Sequence, residues 1–340
     1  MKNLSFFDKI IYVINSLFAT LLLFSYFLRY ISPEAVPVFV VLSVFIPILI
    51  IINIIFVAYW VIRLKKQFLL SSSILAIGLL FSTPFFKFSG KNISTKGELK
   101  IMSYNVKSFD LFKQFDENAV KNGFDFIKEV DPDILVLQEF YEKKRTKEPD
   151  ISFPHKYLKM ISKNKTYGMA IYSKYKIINS GSLDFENTFN NIIFTDILKG
   201  KDTIRIYNIH LESLGITQDI EHFDEKKSNK LLRAATNSFK KQANQTKKFV
   251  EHDKTWKGKK IVCGDFNNTS FSWVYNQISK DKKDAFVEAG QGFGKSYNYP
   301  FPMRIDFILA DKTASVNQFE TFKDKYSDHF PITATLNWEE

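Results

Sequence analysis

The chain has 340 residues, of which 45% are hydrophobic and 16% aromatic, enough for one or two domains with sizeable cores. Its net charge is +11, but residues 1–96 carry nine Lys/Arg against two Asp/Glu, whereas residues 97–340 carry 38 against 34. The excess therefore sits beside apolar segments, and the near-balanced remainder argues against a broad nucleic-acid-binding face.

Three uncharged apolar runs open the chain, at 10–28, 35–62 and 68–86. A bilayer core needs about 20 apolar helical residues. Each run meets that length, so residues 1–86 read as a membrane anchor of three transmembrane helices. The first run is longer than a signal-peptide core, and no small-residue cleavage site follows it. Lys2, Lys9 and the basic loop "RLKKQ" (63–67) place the N-terminus and that loop in the cytoplasm, against a loop at 29–34 holding only Arg29. Three crossings then put the rest of the chain outside, in a periplasm or at a cell surface. Lys87, Lys91, Lys96 and Lys100 oppose this orientation. They are discounted because charges leading into a long domain count less than those in short loops. The stretch "KFSGKNISTKGE" (87–98) is polar, with two Gly and two Ser, and reads as a linker to a single domain at 99–340.

From residue 99 short β-branched runs take over. Strands are expected at "LKIMSYNV" (99–106), "DILVLQEF" (133–140) and "YGMAIYSK" (167–174). "NIIFTDIL" (191–198) and "DTIRIYNIHLES" (202–213) form a hairpin turning at Lys199-Gly200-Lys201. "KKIVCGDFN" (259–267), "RIDFILAD" (304–311) and "PITATLNW" (331–338) follow. Helices are expected at 118–130 and 228–252, the second with Leu232, Ala235, Phe239, Gln242, Thr246 and Val250 on one face. A charged loop at 214–227 precedes it. Alternating strands and helices mixed with hairpins point to mixed sheets packed together with helices outside. The only cysteine, Cys263, lies in an apolar strand and reads as a small core residue.

Polar residues gather where these strands end: Asn105, Glu139, His210, Asp265, Asn267, Asp306, and Ser327, Asp328 and His329 of "YSDHFP". Singly, each has an ordinary reading. Asp265 and Asn267 of "GDFNN" start a turn, Asn105 closes one, Glu139 is a solvated strand end and His210 a hydrogen-bonded core histidine. Asp306 is harder to dismiss, because a carboxylate between Ile305 and Phe307 is costly to bury without a partner. As a set they offer carboxylates, amides and imidazoles without a cysteine cluster. That suits Mg²⁺, Mn²⁺ or Ca²⁺ rather than zinc. An Asp beside a His fixes its tautomer and favours its cationic form. The set fits metal-assisted hydrolysis of a phosphate ester. If the strand persists through Phe266, Asp265 and Asn267 leave the same face while Phe266 turns to the core.

"MSYNV", "LVLQEF", "IYNIHLES", "GDFN", "RIDFIL" and "SDHFPI" resemble, in order and spacing, the motifs of the endonuclease/exonuclease/phosphatase superfamily, over residues 99–338. The resemblance is to a membrane-anchored bacterial member. It implies a four-layer α/β sandwich of two mixed β-sheets flanked by helices, here preceded by three transmembrane helices. It implies a Mg²⁺ (or Mn²⁺) held by Glu139 with Asn105, and Asp328 near that metal. Asp265 would position or deprotonate the attacking water and Asn267 would orient Asp265. His210 would contact a phosphate oxygen, and His329, paired with Asp306, would stabilise the scissile phosphate. One departure stands out. Lys107 occupies the place of a second polar ligand, which favours one tightly held ion; its simplest reading is a solvated lysine.

The expected activity is hydrolysis of a phosphodiester, in nucleic acid or a phospholipid head group, beside the membrane bilayer. "KKRTK" (143–147) and "YNYPFP" (297–302) are candidate borders of the site. The competing expectation is a catalytically silent membrane protein that binds a phosphorylated partner, with Lys107 in its favour. No protein partner is inferable.

Overall fold

The computed structural model describes residues 4–81, 83–107, 119–141, 153–161, 167–215, 225–323 and 326–338. It divides into two compact units. The first is Met1–Phe85 with Gly215–Ala243 and Thr269–Asn276, and the second is Phe86–Leu214 with Asn244–Asn268 and Gln277–Glu340.

The first unit contains helices α1 (Phe6–Phe27), α2 (Pro37–Val40), α3 (Ile46–Ile62) and α4 (Phe68–Phe81). Ser5 caps α1, its hydroxyl accepting the Asp8 N–H at 3.1 Å. With their flanking turns, α1 and α2–α3 give helical segments Phe6–Tyr30 and Pro37–Ile62, with mean hydropathies of 1.9 and 3.1. By length and composition these two can cross a bilayer. The expectation of three such helices is corrected by α4. It has 14 residues, a rise of about 21 Å against a hydrocarbon core of about 30 Å. Two crossings return a chain to the side on which it began, so the expected orientation no longer follows from counting runs.

In this unit polar side chains are buried beside an apolar cluster, while other apolar side chains face outward. Asn15, Asn53 and Ser71 are fully buried, while Phe6, Phe7, Val13, Leu17 and Phe27 of α1 are exposed. Asn15 donates to Ser71 at 2.6 Å, Ser71 to Asn53 at 2.8 Å, and Trp60 to Asn15 at 2.9 Å. These bonds tie α1, α3 and α4 together.

The second unit holds two six-stranded sheets. One takes β1 (Leu99–Asn105), β2 (Ile134–Tyr141), β3 (His155–Met160), β4 (Tyr167–Ser173), β11 (Ser315–Thr321) and β12 (Ile332–Asn337), in the order β11-β12-β1-β2-β4-β3. The other takes β5 (Lys176–Ser182), β6 (Asn191–Lys199), β7 (Asp202–His210), β8 (Lys260–Asp265), β9 (Lys282–Asp284) and β10 (Asp306–Asp311), in the order β5-β6-β7-β8-β10-β9. Both sheets are mixed: β1–β2 and β7–β8 pair in parallel and their other neighbours antiparallel. The expected hairpin is present, with Lys199 opposite Asp202 and Gly200 at φ +63° in the two-residue turn. Helix α5 (Ala119–Val130) covers the first sheet through Phe124, Phe126, Ile127 and Val130. Helix α6 (Glu225–Asp253), of which residues 225–243 belong to the first unit and 244–253 to the second, runs longer than expected, and Phe249 near its end packs edge-on against Tyr207 of β7 at 5.2 Å. Leu232, expected on its buried face, is 39% exposed. Short helices α7 (Trp273–Ile278), whose first four residues belong to the first unit, and α8 (Ala285–Ala289) complete the set.

The segment 87–98, expected as a linker, is bonded to this unit. Lys87 pairs with Gly292 and Asn92 with Gln318, and the Ile93 N–H donates to the Asn317 carbonyl at 3.1 Å. Of the expected loop at 214–227, residues 216–224 lie outside the described residues, as do "KKRTK" and Lys2.

Candidate active site

A strand sends alternate side chains to opposite faces, and that period decides where the polar residues go. Between the sheets lies one apolar core. It takes Ile101 from β1, Ile134 and Val136 from β2, Met169 and Ile171 from β4, Ile204 and Ile206 from β7, Ile261 and Cys263 from β8, and Ile308 and Ala310 from β10. Extending each series by twos reaches Asn105, Gln138, Tyr167, Asn208 and His210, Asp265, and Asp306. The cleft is thus the polar end of the inter-sheet core. Register brings its members level: Asn105 is opposite Gln138, His210 opposite Asp265, and Asp265 opposite Asp306.

Glu139 has the wrong parity for this face, and two irregularities correct it. The β2–β4 register shifts between Leu137 and Phe140, and Glu139 takes φ +52°. Such a bulge re-aims a side chain. The carboxylate then meets the Asn105 amide at 3.3 Å and His210 Nε2 at 3.5 Å. Behind it, Gln138 donates to Asn208 at 2.7 Å across the two sheets, and Asn208 donates to the carbonyls of Leu137 and Ala170 at 2.9 and 3.0 Å.

Asn105 is the hinge of the cluster. Its Nδ2 donates to Glu139 and, at 3.0 Å, to Asp265, while its Oδ1 accepts the Lys107 N–H at 3.1 Å. Asp265 is 1% exposed. Its strand is held against β7 by Gly264, at φ +130°, where a Cβ would lie 2.0 Å from the Ile209 carbonyl oxygen. Asn267 does not continue the strand. β8 ends at Asp265, Asn267 takes φ +49°, and its N–H donates back to Asp265 Oδ1 at 2.7 Å. Its side-chain amide donates to the Leu211 carbonyl at 2.9 Å. The expected shared parity of Asp265 and Asn267 is therefore replaced by a turn. The ordinary reading of "GDFNN" is seen directly: one Asp265 oxygen closes the turn, while the other accepts from Asn105. Phe266 is fully buried, as expected.

Asp306 has the partner that its burial demands. Its Oδ2 lies 2.9 Å from His329 Nδ1, and His329 Nε2 lies 3.7 Å from Asp265. Burial alone would push the His329 imidazole down, but Asp306 and then Asp265 outweigh it and hold the ring well above its ordinary value. For Asp265 burial and the charge of Asp306 raise the carboxyl, against His329. His210 is pushed down, by burial first and His329 further, against Glu139, so its ring is neutral at pH 7. It is not a satisfied core histidine: its buried Nδ1 has no hydrogen-bond partner among the described residues.

Asp328 and Lys107 meet each other at 2.7 Å. Lys107 is thus an ion-paired residue at φ +41°, with its side chain 41% exposed, rather than a freely solvated lysine. Ser327 fastens this loop by donating to the Asn105 carbonyl at 2.9 Å. Two aromatics join the cluster, of which Tyr167 escaped the sequence reading. The Tyr167 phenol is hydrogen-bonded to Glu139, and the Tyr297 ring lies 4.9 Å from that of His329. Tyr167 was recoverable from parity with Met169 and Ile171. "YNYPFP" touches the cleft through Tyr297, and also through Asn298, whose N–H donates to the Asp328 carbonyl at 2.8 Å.

The donor set suits a divalent cation. Glu139, Asp265, Asp306 and Asp328 face two cations, His329 and Lys107, and one buried Asp306 oxygen has no hydrogen-bond partner among the described residues. Asp265, Asp306 and His329 bring ligand atoms within 4.8 Å of one another. A protonated His329 already engaged by Asp306 is a poor ligand. The cation is better served on the side of Glu139 and Asn105, where the Glu139 side chain is 28% exposed and leaves room for water.

Two stacked mixed sheets flanked by helices, with acids, amides and imidazoles at one end of the core between them, define an α/β sandwich with a polar cleft. Residues 102–329 match the Endonuclease/Exonuclease/phosphatase family, and the chain belongs to that family. Residues 8–85 match a domain of unknown function, DUF8431. No curated protein matches the sequence. Among solved structures, D. rerio TDP2 complexed with single strand DNA product is similar with a TM-score of 0.53 at 18% identity, over 71% of this chain and 100% of that one. The human Nocturnin catalytic domain with bound sulfate anion gives 0.53 at 17%, over 73% and 97%. A functionally unknown conserved protein from Enterococcus faecalis V583 gives 0.51 at 18%, over 71% and 100%. At these identities the likeness establishes the fold.

Proposed function

We propose that the second unit is a divalent-metal-dependent phosphoesterase that cleaves a phosphodiester by attack of a water. The carrying observation is the single Asn105 amide that donates to Glu139 of the first sheet and approaches, at 3.0 Å, Asp265 of the second. Two carboxylates from different sheets, converging on one amide with two further acids nearby, have little structural purpose without a cation. A bound Mg²⁺ or Mn²⁺ would act as a Lewis acid on a phosphoryl oxygen and lower the pKa of a bound water.

Glu139 and Asn105 would hold that ion, with Asp328 at the rim, restrained by Lys107. Asp265 would orient the attacking water and accept its proton, its free oxygen aimed by the turn that Asn267 closes. His329, kept cationic by Asp306, would neutralise a non-bridging oxygen as negative charge develops. His210, neutral, would donate a hydrogen bond from Nε2 to another. Nucleic acid and phospholipid head groups both present the required diester.

We further propose that the first unit anchors the protein in a bilayer. The exposed phenylalanines of α1 and the buried, mutually bonded Asn15, Asn53 and Ser71 support this reading, since membrane bundles hide their polar residues. With Phe6–Tyr30 and Pro37–Ile62 as the two crossings, the chain returns to the side on which it began. A C-terminal alkaline phosphatase fusion, active only outside the cytoplasm, tests that placement.

The test of function is hydrolysis of bis(p-nitrophenyl) phosphate, DNA oligonucleotides and short-chain phospholipids by the full-length protein, with Mg²⁺, Mn²⁺ or EDTA. Metal-dependent turnover of one class is expected, abolished in Glu139→Ala. Metal-independent turnover, or full activity in Glu139→Ala, would overturn the assignment. Silence on every substrate would favour the non-catalytic, phosphate-binding alternative.

A further inference from the structure

A second charged cavity, of about 630 Å³, lies in the second unit away from the cleft. It is lined by the last turn of α6 and the residues after it, the start of β8, the end of β10 and the turn before β9. Asp265 and Asp306 stand at the other ends of β8 and β10. Five residue steps along the strand separate Lys260 from Asp265, about 17 Å, so the cavity is no extension of the cleft.

Seven lysines and three aspartates line it. The acids are occupied. Asp253 binds Lys260 at 2.8 Å and Lys282 at 2.7 Å, Asp281 binds Lys312 at 2.6 Å, and Asp311 accepts the Lys260 N–H at 2.9 Å. Two ammonium groups therefore share the one carboxylate of Asp253, and their side chains are only 13% and 5% exposed. Burial lowers the pKa of Lys282, with Asp253 opposing. Lys254, Lys257 and Lys280 form no salt bridge among the described residues. A concave wall with excess positive charge and free ammonium groups matches a compact polyanion. Lysine is a point-charge donor suited to phosphate. Nucleic acid fits less well: the lining alternates acids with bases rather than forming a track, and Trp256, its aromatic member, already stacks on Arg205 at 4.2 Å.

We propose that this cavity binds a phosphate-bearing ligand, through Lys254, Lys257 and Lys280, at a site separate from the catalytic cleft. A soluble oligophosphate and a phospholipid head group share the required chemistry.

The full-length protein in detergent, without divalent ions, is titrated with inorganic tripolyphosphate and, separately, with dihexanoyl phosphatidic acid. The expected result is salt-sensitive binding that weakens roughly tenfold or more in Lys254→Gln/Lys257→Gln/Lys280→Gln, since charge-assisted bonds are lost. Preference for tripolyphosphate assigns a soluble ligand, and preference for phosphatidic acid a head group. The corresponding Lys→Arg triple variant should bind like the wild type, which separates lost charge from lost fold. Equal binding by wild type and Gln variant would place the anion in the catalytic cleft and overturn the proposal, as would no binding of either probe. Tighter, lysine-dependent binding of a short single-stranded oligonucleotide would overturn it in favour of nucleic acid.

Discussion

Replacing Gly264 with alanine puts the placement of Asp265 to a direct test. The new Cβ would sit 2.0 Å from the Ile209 carbonyl oxygen and 2.7 Å from its nitrogen, whereas ordinary contact begins at 3.4 Å. About 1.4 Å must therefore be found on that side. The opposing atoms are strand backbone and cannot swing aside as a side chain would. Ile209 is the ladder partner of Gly264, and the next rung pairs His210 with Asp265. Opening this rung moves the carboxylate away from His210 and from the Asn105 amide. A misplacement of about 1 Å costs roughly 10²-fold in rate. The positive φ adds strain of about 1–3 kcal/mol for a residue with a Cβ. Gly264→Ala should thus melt earlier in detergent and hydrolyse bis(p-nitrophenyl) phosphate roughly a hundredfold more slowly below its melting temperature. A variant with wild-type turnover under native conditions would show that catalysis does not depend on where β8 places Asp265.

Four further outcomes follow from the same geometry. Glu139→Gln should keep its melting temperature but weaken Mn²⁺ affinity, measured by paramagnetic resonance. His329→Ala should retain Mn²⁺ affinity while losing about 10²–10⁴-fold in rate; parallel loss of both would make His329 a ligand. Asn208→Ala removes the donor to the carbonyls of Leu137 and Ala170 and the acceptor for Gln138. At about 1–3 kcal/mol for each group left unsatisfied, it should cost more stability than Gln138→Leu/Asn208→Leu. Glu98 supplies a pH test. Burial would raise its pKa, but bonds from Asn317 and Thr95 prevail and lower it. A depressed carboxylate stabilises above its unfolded value, ordinarily 4.5, and loses that contribution as pH falls through the folded one. Protection from hydrogen exchange at 93–98, taken relative to the intrinsic rate at each pH, should accordingly fall below pH 4.5 and be constant above it; no loss of protection on acidification would mean that Glu98 does not hold the segment.

The strands that sequence patterning found are interior to the sheets, and the four it missed are the sheet edges: β3 and β11 of one, β5 and β9 of the other. The physical reason is visible in β5. "KIINSGS" has one neighbour and mostly exposed side chains, so charges and small polar residues cost it little and its alternation disappears. Interior strands are buried on both faces and read as apolar runs. The acid, amide and imidazole positions were legible because each interrupts or ends such a run. Asp306 was the clearest: a carboxylate inside an apolar strand announced a partner, and His329 is it. Lys107 and Asp328 were legible only as separate residues, because an ion pair across 221 positions leaves no local pattern. The third membrane span failed for a different reason. Hydropathy counts apolar residues without asking where a helix stops, and residues 83 and 84 are already outside α4 in an apolar run that extends to residue 86.

Backbone conformation is what sequence patterns hid most completely, and three of its unusual cases stand at the cleft. Lys107, Glu139 and Asn267 take φ of +41°, +52° and +49°. Asparagine tolerates this region, but lysine and glutamate do not favour it. At about 1–3 kcal/mol for each strained residue, Lys107 and Glu139 together consume a sizeable part of a typical domain stability of about 5–15 kcal/mol. Each is held by something a plain strand end lacks. The Lys107 N–H is bonded to Asn105 Oδ1, and Glu139 is flanked by buried Gln138 and Phe140. If these kinks served only packing, glycine at either position would stabilise the protein at no functional cost. If they aim side chains, Glu139→Gly removes the proposed ligand outright. Lys107→Gly then becomes the informative change: it relaxes the backbone but frees Asp328 from its ammonium partner. A more stable protein with altered metal affinity would show that the strain at Lys107 is retained for the ion pair it positions. A more stable protein with wild-type affinity and rate would show that it is not.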